Sequence, residues 1–194
     1  VHAISGGALY RKSSFLLDSL GTAVLPDHID LYEDPFVLRG KGSSPFDGEG
    51  VRVQARKVID AGVVQGYFLG SYSARKLNIK TTGNAGGSHN LNFTSRQTQA
   101  SDDLVAMLQK LGTGLFVTEL MGHGVNYVTG DYSRGASGFW VENGIIAYPV
   151  HEITIAGNMK DMLQGIQAVG ADVYNYGSKT VGSILVNRMK VAGS

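Results

Sequence analysis

The sequence predicts an α+β fold built mainly of antiparallel strands, with two or three helices packed on them. Short runs rich in β-branched and aromatic residues alternate with glycines along most of the chain, and few segments repeat apolar residues at helical spacing. The 27 glycines show no short repeat, so we interpret them as turns between strands. Because 43% of the residues are hydrophobic, one core and one domain over residues 1–194 are expected.

Two hairpins account for much of the predicted sheet. Residues 51–59 and 63–69 are strand-like runs around a short break that ends at Gly62. Asn143 and Gly144 form the second turn, since both residue types accept the positive φ angles of a tight hairpin. Further strands are predicted at residues 115–120, 125–129, 138–142, 145–150 and 183–186. The second half is therefore predicted to be an antiparallel meander with a closing strand.

Helical spacing is confined to two longer segments and one short one. The first helix is predicted over residues 101–111, with Ser101 as its N-cap, and Gly112 ends it. Its apolar stripe consists of Leu104, Val105, Leu108 and Leu111. The second helix is predicted to begin after Asn158 and to end at Gly170, with the stripe Met159, Met162, Leu163, Ile166 and Val169. A short helical turn is expected over residues 73–77.

Composition argues against several classes of function. Seventeen basic and sixteen acidic residues give a net charge of +1, so direct nucleic-acid binding is not expected. No apolar run approaches the roughly 20 residues that cross a bilayer, so no membrane association is expected. The absence of cysteine excludes disulfides and thiolate chemistry, and is compatible with a cytoplasmic location.

The histidines do not have the spacing of a zinc site. His151 and Glu152 are adjacent on a predicted strand, where neighbouring side chains point to opposite faces. Glu119 and His123 are four residues apart, but glycines on both sides of His123 favour a turn over a helix. The sequence therefore predicts no catalytic residue and no metal ligand set in this chain, and zinc affinity no better than micromolar.

Residues 131–140 contain the strongest candidate for a binding surface. Serine catalysis is not expected at Ser133, because the glycine spacing differs from that of a nucleophile elbow. The residue types are those that proteins use to hold peptides or partners, and we also expect a sheet edge here to which a peptide could add. The candidates are Asp131, Tyr132, Ser133, Arg134, Phe139 and Trp140. Alternation along a strand predicts that one of the two adjacent aromatic rings lies in the core and the other outside.

Six segments together resemble the PmbA/TldE branch of the TldD/PmbA metallopeptidase family. The longest reads GDYSRGASGFWVENG at residues 130–144, and SYSARKL follows the same pattern at residues 71–77. The others are residues 5–21, 45–50, 118–122 and 152–158. Members of this family are much longer, so the resemblance implies that residues 1–194 are a C-terminal domain whose N-terminal domain is absent here.

The resemblance also implies a function. In the family, a cytoplasmic heterodimer cleaves unfolded or modified peptides, with zinc in the TldD-type subunit, while the TldE-type subunit helps to enclose the chamber. The zinc-binding branch uses a His-Glu-x-x-x-His helix and a later Cys, and this chain has no Cys. We therefore expect a non-catalytic partner subunit with no cofactor of its own. The description of family members as modulators of DNA gyrase implies an indirect role.

One alternative is an active metallopeptidase whose upstream helix supplies most of the zinc ligands, with His123 or His151 in place of the Cys. A His-Glu-x-x-x-His motif immediately before Val1 would favour this alternative. Self-association of the isolated chain as a homodimer is also left open by the sequence.

Overall fold

The computed structural model describes residues 1–193, which divide into two compact units. One unit consists of Val1–Arg96 and Tyr174–Val181. The other consists of Gln97–Val173 and the described residues from Gly182 onward. The fold is α+β and mostly antiparallel, as predicted. The expectation of one domain over residues 1–194 stays a prediction.

Strands occur along most of the chain, and the helices between them are short. The strands are β1 (Ile29–Asp34), β2 (Arg56–Asp60), β3 (Val63–Val64), β4 (Asn90–Ser95), β5 (Gly114–Met121), β6 (Asp131–Glu142), β7 (Ile145–Asn158), β8 (Ile166–Val169), β9 (Tyr174–Tyr176), β10 (Lys179–Val181), β11 (Ile184–Val186) and β12 (Lys190–Ala192). The helices are a 3-10 turn (His2–Ile4), α1 (Gly6–Tyr10), α2 (Ser71–Lys76), α3 (Leu104–Leu111) and α4 (Met159–Gln164).

The first unit is built on a sheet with the strand order β3-β2-β1-β4-β10-β9. All its neighbouring strands are antiparallel except β4 and β10, which are parallel. Inside it lies Glu33, whose side chain is 1% exposed. Its Oε2 accepts from Arg56 Nε at 2.8 Å, and its Oε1 accepts from Asn84 Nδ2 at 2.7 Å and from the backbone N–H of His89 at 2.9 Å. These bonds compensate the burial of a carboxylate that would otherwise be costly.

The second unit contains a sheet with the order β12-β7-β6-β5 and a separate pair, β8 with β11. Its hairpin between β6 and β7 turns at Asn143 and Gly144, whose φ angles are 52° and 77°, which confirms the predicted tight turn. The predicted hairpin in the first unit is also confirmed, with β2 and β3 shorter than the predicted runs.

The two longer helices differ from their predictions. Asp103, not Ser101, is the N-cap of α3, because its Oδ1 accepts from the backbone N–H of Ala106 at 2.9 Å. Helix α4 begins after Asn158 as predicted, but it ends at Gln164. The expected continuation to Gly170 is wrong, since β8 forms there and pairs with β11. Long-range strand pairing thus overrides a local helical pattern. The short helix near residues 73–77 and the strand near residues 183–186 are confirmed as α2 and β11.

The strand predicted at residues 125–129 is also wrong. The segment is a turn in which Asn126 Oδ1 accepts from the backbone N–H of Val128 at 3.0 Å and of Thr129 at 3.3 Å. Such local side-chain bonds compete with strand pairing, and only Val125 forms a bridge, to Tyr132.

Candidate functional site

The candidate residues at 131–140 all lie on β6, in the interior of the second unit's sheet. Residues from Gly135 to Val141 pair with β5, and the whole strand pairs with β7. The expectation that this segment offers a sheet edge is therefore wrong. The preceding turn covers the start of the strand, because the backbone N–H of Ser133 donates to Gly124 O at 2.8 Å.

Phe139 and Trp140 point to opposite faces of the sheet, as alternation predicts. The Phe139 ring stacks on Phe116 with a centroid distance of 6.3 Å and an interplanar angle of 23°. Trp140 is on the other face, where it lines a groove. Both rings are half-buried, so neither is a fully buried core residue.

Arg134 is held against its own unit. Its Nη2 donates to Leu120 O at 3.3 Å, and its guanidinium lies near the hydroxyl of Tyr132. Burial raises the pKa of Tyr132, and the nearby guanidinium opposes this only in part. The Nε atom of Arg134 is buried and has no hydrogen-bond partner among the described residues. The side chain therefore braces the end of β5 while one of its donors stays unsatisfied.

Asp131 ties the turn at residues 125–130 to the end of β7. Its Oδ2 accepts from Thr129 Oγ1 at 2.7 Å, and its Oδ1 accepts from Asn158 Nδ2 at 3.2 Å. These two bonds hold the pKa of Asp131 below its ordinary value. Asp131 is therefore a charged structural tie at this position.

The groove beside Trp140 lies entirely within the second unit and has a volume of about 770 Å³. Its walls are the side chains of α3, the length of β5, part of β6, and the segment that carries β11 and leads into β12. Tyr132 and Trp140 are the only two of the six candidates that line it among the described residues. The principal apolar lining residues are Leu104, Met107, Leu108, Leu111, Leu115, Val117, Ile155, Met162, Leu185 and Met189.

Strand β5 is the edge of the sheet on the groove side. Every residue from Thr113 to Leu120 lines the groove, so the groove follows the strand's backbone. No other described strand pairs with the outer side of β5. Strand β5 is part of the site although it is not among the residues predicted for it. The sequence feature that could have indicated β5 as part of the site is an apolar run without proline directly after α3. A run of this kind at a sheet edge is open to pairing with another strand.

The described residues do not fit a zinc ion. No three His, Asp or Glu side chains between residues 1 and 193 lie together in a group that could hold a metal. His89 contacts the buried Glu33, and His28 contacts Ser95, while His123 and His151 are exposed on separate segments.

The profile of the PmbA/TldA metallopeptidase C-terminal domain matches residues 1–193. The chain belongs to the PmbA/TldD metallopeptidase family. Among curated members, it is 55% identical to the metalloprotease PmbA homolog of Haemophilus influenzae over 99% of the chain, and 54% identical to metalloprotease PmbA of Escherichia coli O157:H7 over 100%. It is 27% identical to the TldD homolog of Haemophilus influenzae over 87% of the chain. The chain spans 42% of the length of each of the two PmbA relatives.

Two solved structures have the same fold as this chain. A Bacteroides thetaiotaomicron protein described as a candidate modulator of DNA gyrase superposes with a TM-score of 0.91 at 30% identity, over 100% of this chain and 43% of that one. TldE from Thermococcus kodakarensis superposes with a TM-score of 0.83 at 24% identity, over 99% of this chain and 46% of that one. None of the described helices has the length and apolar character to span a membrane.

Proposed function

We propose that this chain is part of a metal-free TldE-type subunit that assembles in the cytoplasm with a zinc-bearing TldD-type subunit to cleave peptides. The observation that carries the proposal is the separation of the metal-donor side chains, which form no group of three among residues 1–193. Zinc in proteins needs three or four such ligands held together. The lack of cysteine agrees with this proposal, because the zinc-binding branch uses one.

Sequence identity supports the assignment to the TldE side of the complex. Identity is 54–55% with the PmbA proteins and 27% with the TldD homolog of Haemophilus influenzae. A subunit without a complete metal site can still serve the reaction by orienting the peptide and excluding water.

The groove along β5 supports a role in guiding the peptide. An extended peptide placed beside β5 would gain backbone hydrogen bonds from the open edge, and its alternate side chains would face the apolar lining. Three methionines, Met107, Met162 and Met189, line the groove, and their flexible side chains suit peptides of varied sequence. Residues 145–153 of β7 are not paired with β12, but they are less suited to strand addition. Pro149 lacks an N–H, and Glu152, at φ 54°, marks a bulge.

The experiment is to coexpress the protein with a TldD-type subunit and to measure peptide hydrolysis by the purified complex. We expect activity in the complex and none in either subunit alone. Trp140→Ala, in the groove, is expected to reduce hydrolysis at least tenfold. Phe139→Ala, on the opposite face, is the matched control, and it is expected to affect stability more than turnover. Equal losses of turnover in the two variants would contradict the assigned peptide path.

A second candidate function is that of an active metallopeptidase, and the names of the two PmbA relatives favour it, since both are called metalloproteases. In that case most ligands would come from outside residues 1–193. Peptide hydrolysis by the purified protein without any partner, abolished by a chelator and restored by zinc, would support this candidate and contradict the partner-subunit proposal.

A further inference from the structure

Helices α1 and α2 of the first unit place two tyrosines and two cations together on the surface. The Tyr10 and Tyr72 rings meet edge to face with a centroid distance of 5.6 Å. The Arg11 guanidinium lies 5.2 Å from the Tyr10 ring centroid, and the Lys76 ammonium lies 5.5 Å from that of Tyr72. We call these four residues the tyrosine–cation patch.

The patch is held in place by close packing between the two helices. A Cβ atom on Gly6 would lie 2.2 Å from Ser73 Oγ, so the missing side chain at Gly6 allows this approach. Ser73 is buried, and Ser5 caps α1 by accepting from the backbone N–H of Ala8. The packing of the two helices therefore sets the backbone positions from which the two cations extend to the rings.

No ion pair within residues 1–193 neutralises the charges of the patch. Neither Arg11 nor Lys76 has a carboxylate within the 4.0 Å of an ion pair among the described residues. Local composition explains this, because residues 1–17 and 61–101 contain no Asp or Glu. Lys12, the residue after Arg11, is exposed and adds positive charge, whereas the charge of Arg75 is partly offset by the nearby Glu49 carboxylate. The patch is therefore a local excess of positive charge on a chain with a net charge of +1.

The geometry points to an acidic peptide segment, rich in Asp and Glu, as the ligand of the tyrosine–cation patch. Two cations without an ion-pair partner can each donate hydrogen bonds to a carboxylate of the ligand, and charge complementarity selects an anionic ligand. The cations lie over the rings on which nucleic-acid bases would have to stack. This arrangement favours a carboxylate-rich peptide over single-stranded nucleic acid. The inference does not depend on the proposed function, since it concerns the first unit only.

Fluorescence anisotropy of a labelled deca-glutamate peptide titrated with the full chain at low salt tests the proposal. We expect saturable binding that weakens as sodium chloride rises. The double variant Arg11→Gln, Lys76→Gln is expected to lose at least tenfold in affinity. The control, Lys160→Gln with Lys190→Gln, removes the same charge from exposed lysines of the second unit and is expected to stay within twofold of the unmodified chain.

A charge-conserving double variant, Arg11→Lys with Lys76→Arg, separates charge from folding, and we expect it to retain most of the affinity. Equal losses in the patch variant and the control would overturn the proposal, because binding would then follow net charge alone. Deca-thymidylate that binds the patch as tightly as deca-glutamate would also overturn it, in favour of nucleic acid. No measurable binding of the glutamate peptide at low salt has the same consequence.

Discussion

At the turn before β6, the space for one methyl group decides whether two backbone segments can meet. A Cβ atom on Gly124 would lie 1.6 Å from the carbonyl oxygen of Ser133, far inside contact distance. The hydrogen bond from the backbone N–H of Ser133 to Gly124 O depends on that approach. Gly124 packs against Ser133 and Arg134, two of the site candidates, and this contact leaves no room for a side chain at Gly124.

Gly124→Ala is therefore expected to destabilise the protein by about 2–3 kcal/mol, since the turn must move away from β6. Gly135→Ala is the matched control on the same sheet, where the nearest atom to an added Cβ is 3.4 Å away. We expect the control to change the free energy of unfolding by less than about 1 kcal/mol. Urea denaturation of both variants measures the difference, and equal values would contradict the steric argument.

The two hairpin turns use different residues at a left-handed position. Ala61 has a φ of 48° and Asn143 a φ of 52°, yet only Asn is suited to this conformation. Ala61→Asn is expected to raise the free energy of unfolding by about 0.5–1 kcal/mol, and Asn143→Ala to lower it by a similar amount. Melting temperatures of the two variants should move in opposite directions. A decrease in both would show that Ala61 has contacts that outweigh its backbone strain.

Asp47 makes stability depend on pH. Burial favours its neutral form, but the backbone N–H groups of Ala85, Val51 and Glu49 donate to the carboxylate, and the net effect is a pKa below the ordinary value. A depressed pKa in the folded state contributes stability above the unfolded pKa of about 3.9, and this is lost as pH falls through the folded value. Asp47→Asn is expected to be less stable at pH 7 and to lose less stability between pH 5 and pH 2. Denaturation curves at these pH values check both statements.

At the scale of single elements, α3 is amphipathic in a different register from the one predicted. Met107 and Leu108 are buried, whereas Leu104 and Val105 are exposed. The N-cap of α3 is Asp103, two residues after the predicted Ser101. The helix is therefore short, and only one turn of its apolar stripe reaches the interior. Leu104 and Leu111 line the groove together with Met107 and Leu108.

Leu108→Ala is expected to cost about 2–5 kcal/mol, because Leu108 is 8% exposed and its removal leaves a cavity. Val105→Ala on the same helix is the control, since Val105 is 65% exposed, and it should change stability by less than about 0.5 kcal/mol. Urea melts of both variants decide the matter. A small effect at Leu108 would mean that this side chain lies on the surface.

Elements defined by local chemistry could be predicted from the sequence, and elements defined by distant partners could not. Asn143 and Gly144 specify their turn through their own backbone preferences, and Asn158 caps α4 through its side-chain oxygen. Residues 166–169 have a helical pattern but form β8, because β11 pairs with them. At the site, the alternation of side chains along a strand predicted that Phe139 and Trp140 point to opposite faces. The groove could not be predicted, because β5 and Met189 come together only in the folded chain.

At the scale of the whole molecule, the five histidines are distributed so that none of the described ones joins a set of three donors. We expect the purified chain to retain well under one zinc per molecule after dialysis, and its affinity to be no better than micromolar. Elemental analysis measures the zinc content directly. One tightly held zinc per chain would contradict the assignment to the metal-free side of the family.

The parallel contact between β4 and β10 bears on how the chain reaches its native state. Lys179 and Leu91 are partners in this register, although about 90 positions separate them in sequence. The first sheet cannot be completed during synthesis until the whole intervening segment has left the ribosome, and until then the edge of β4 is open. Such late closure of a non-local strand pair slows folding, and it exposes the nascent chain to mispairing with other strands.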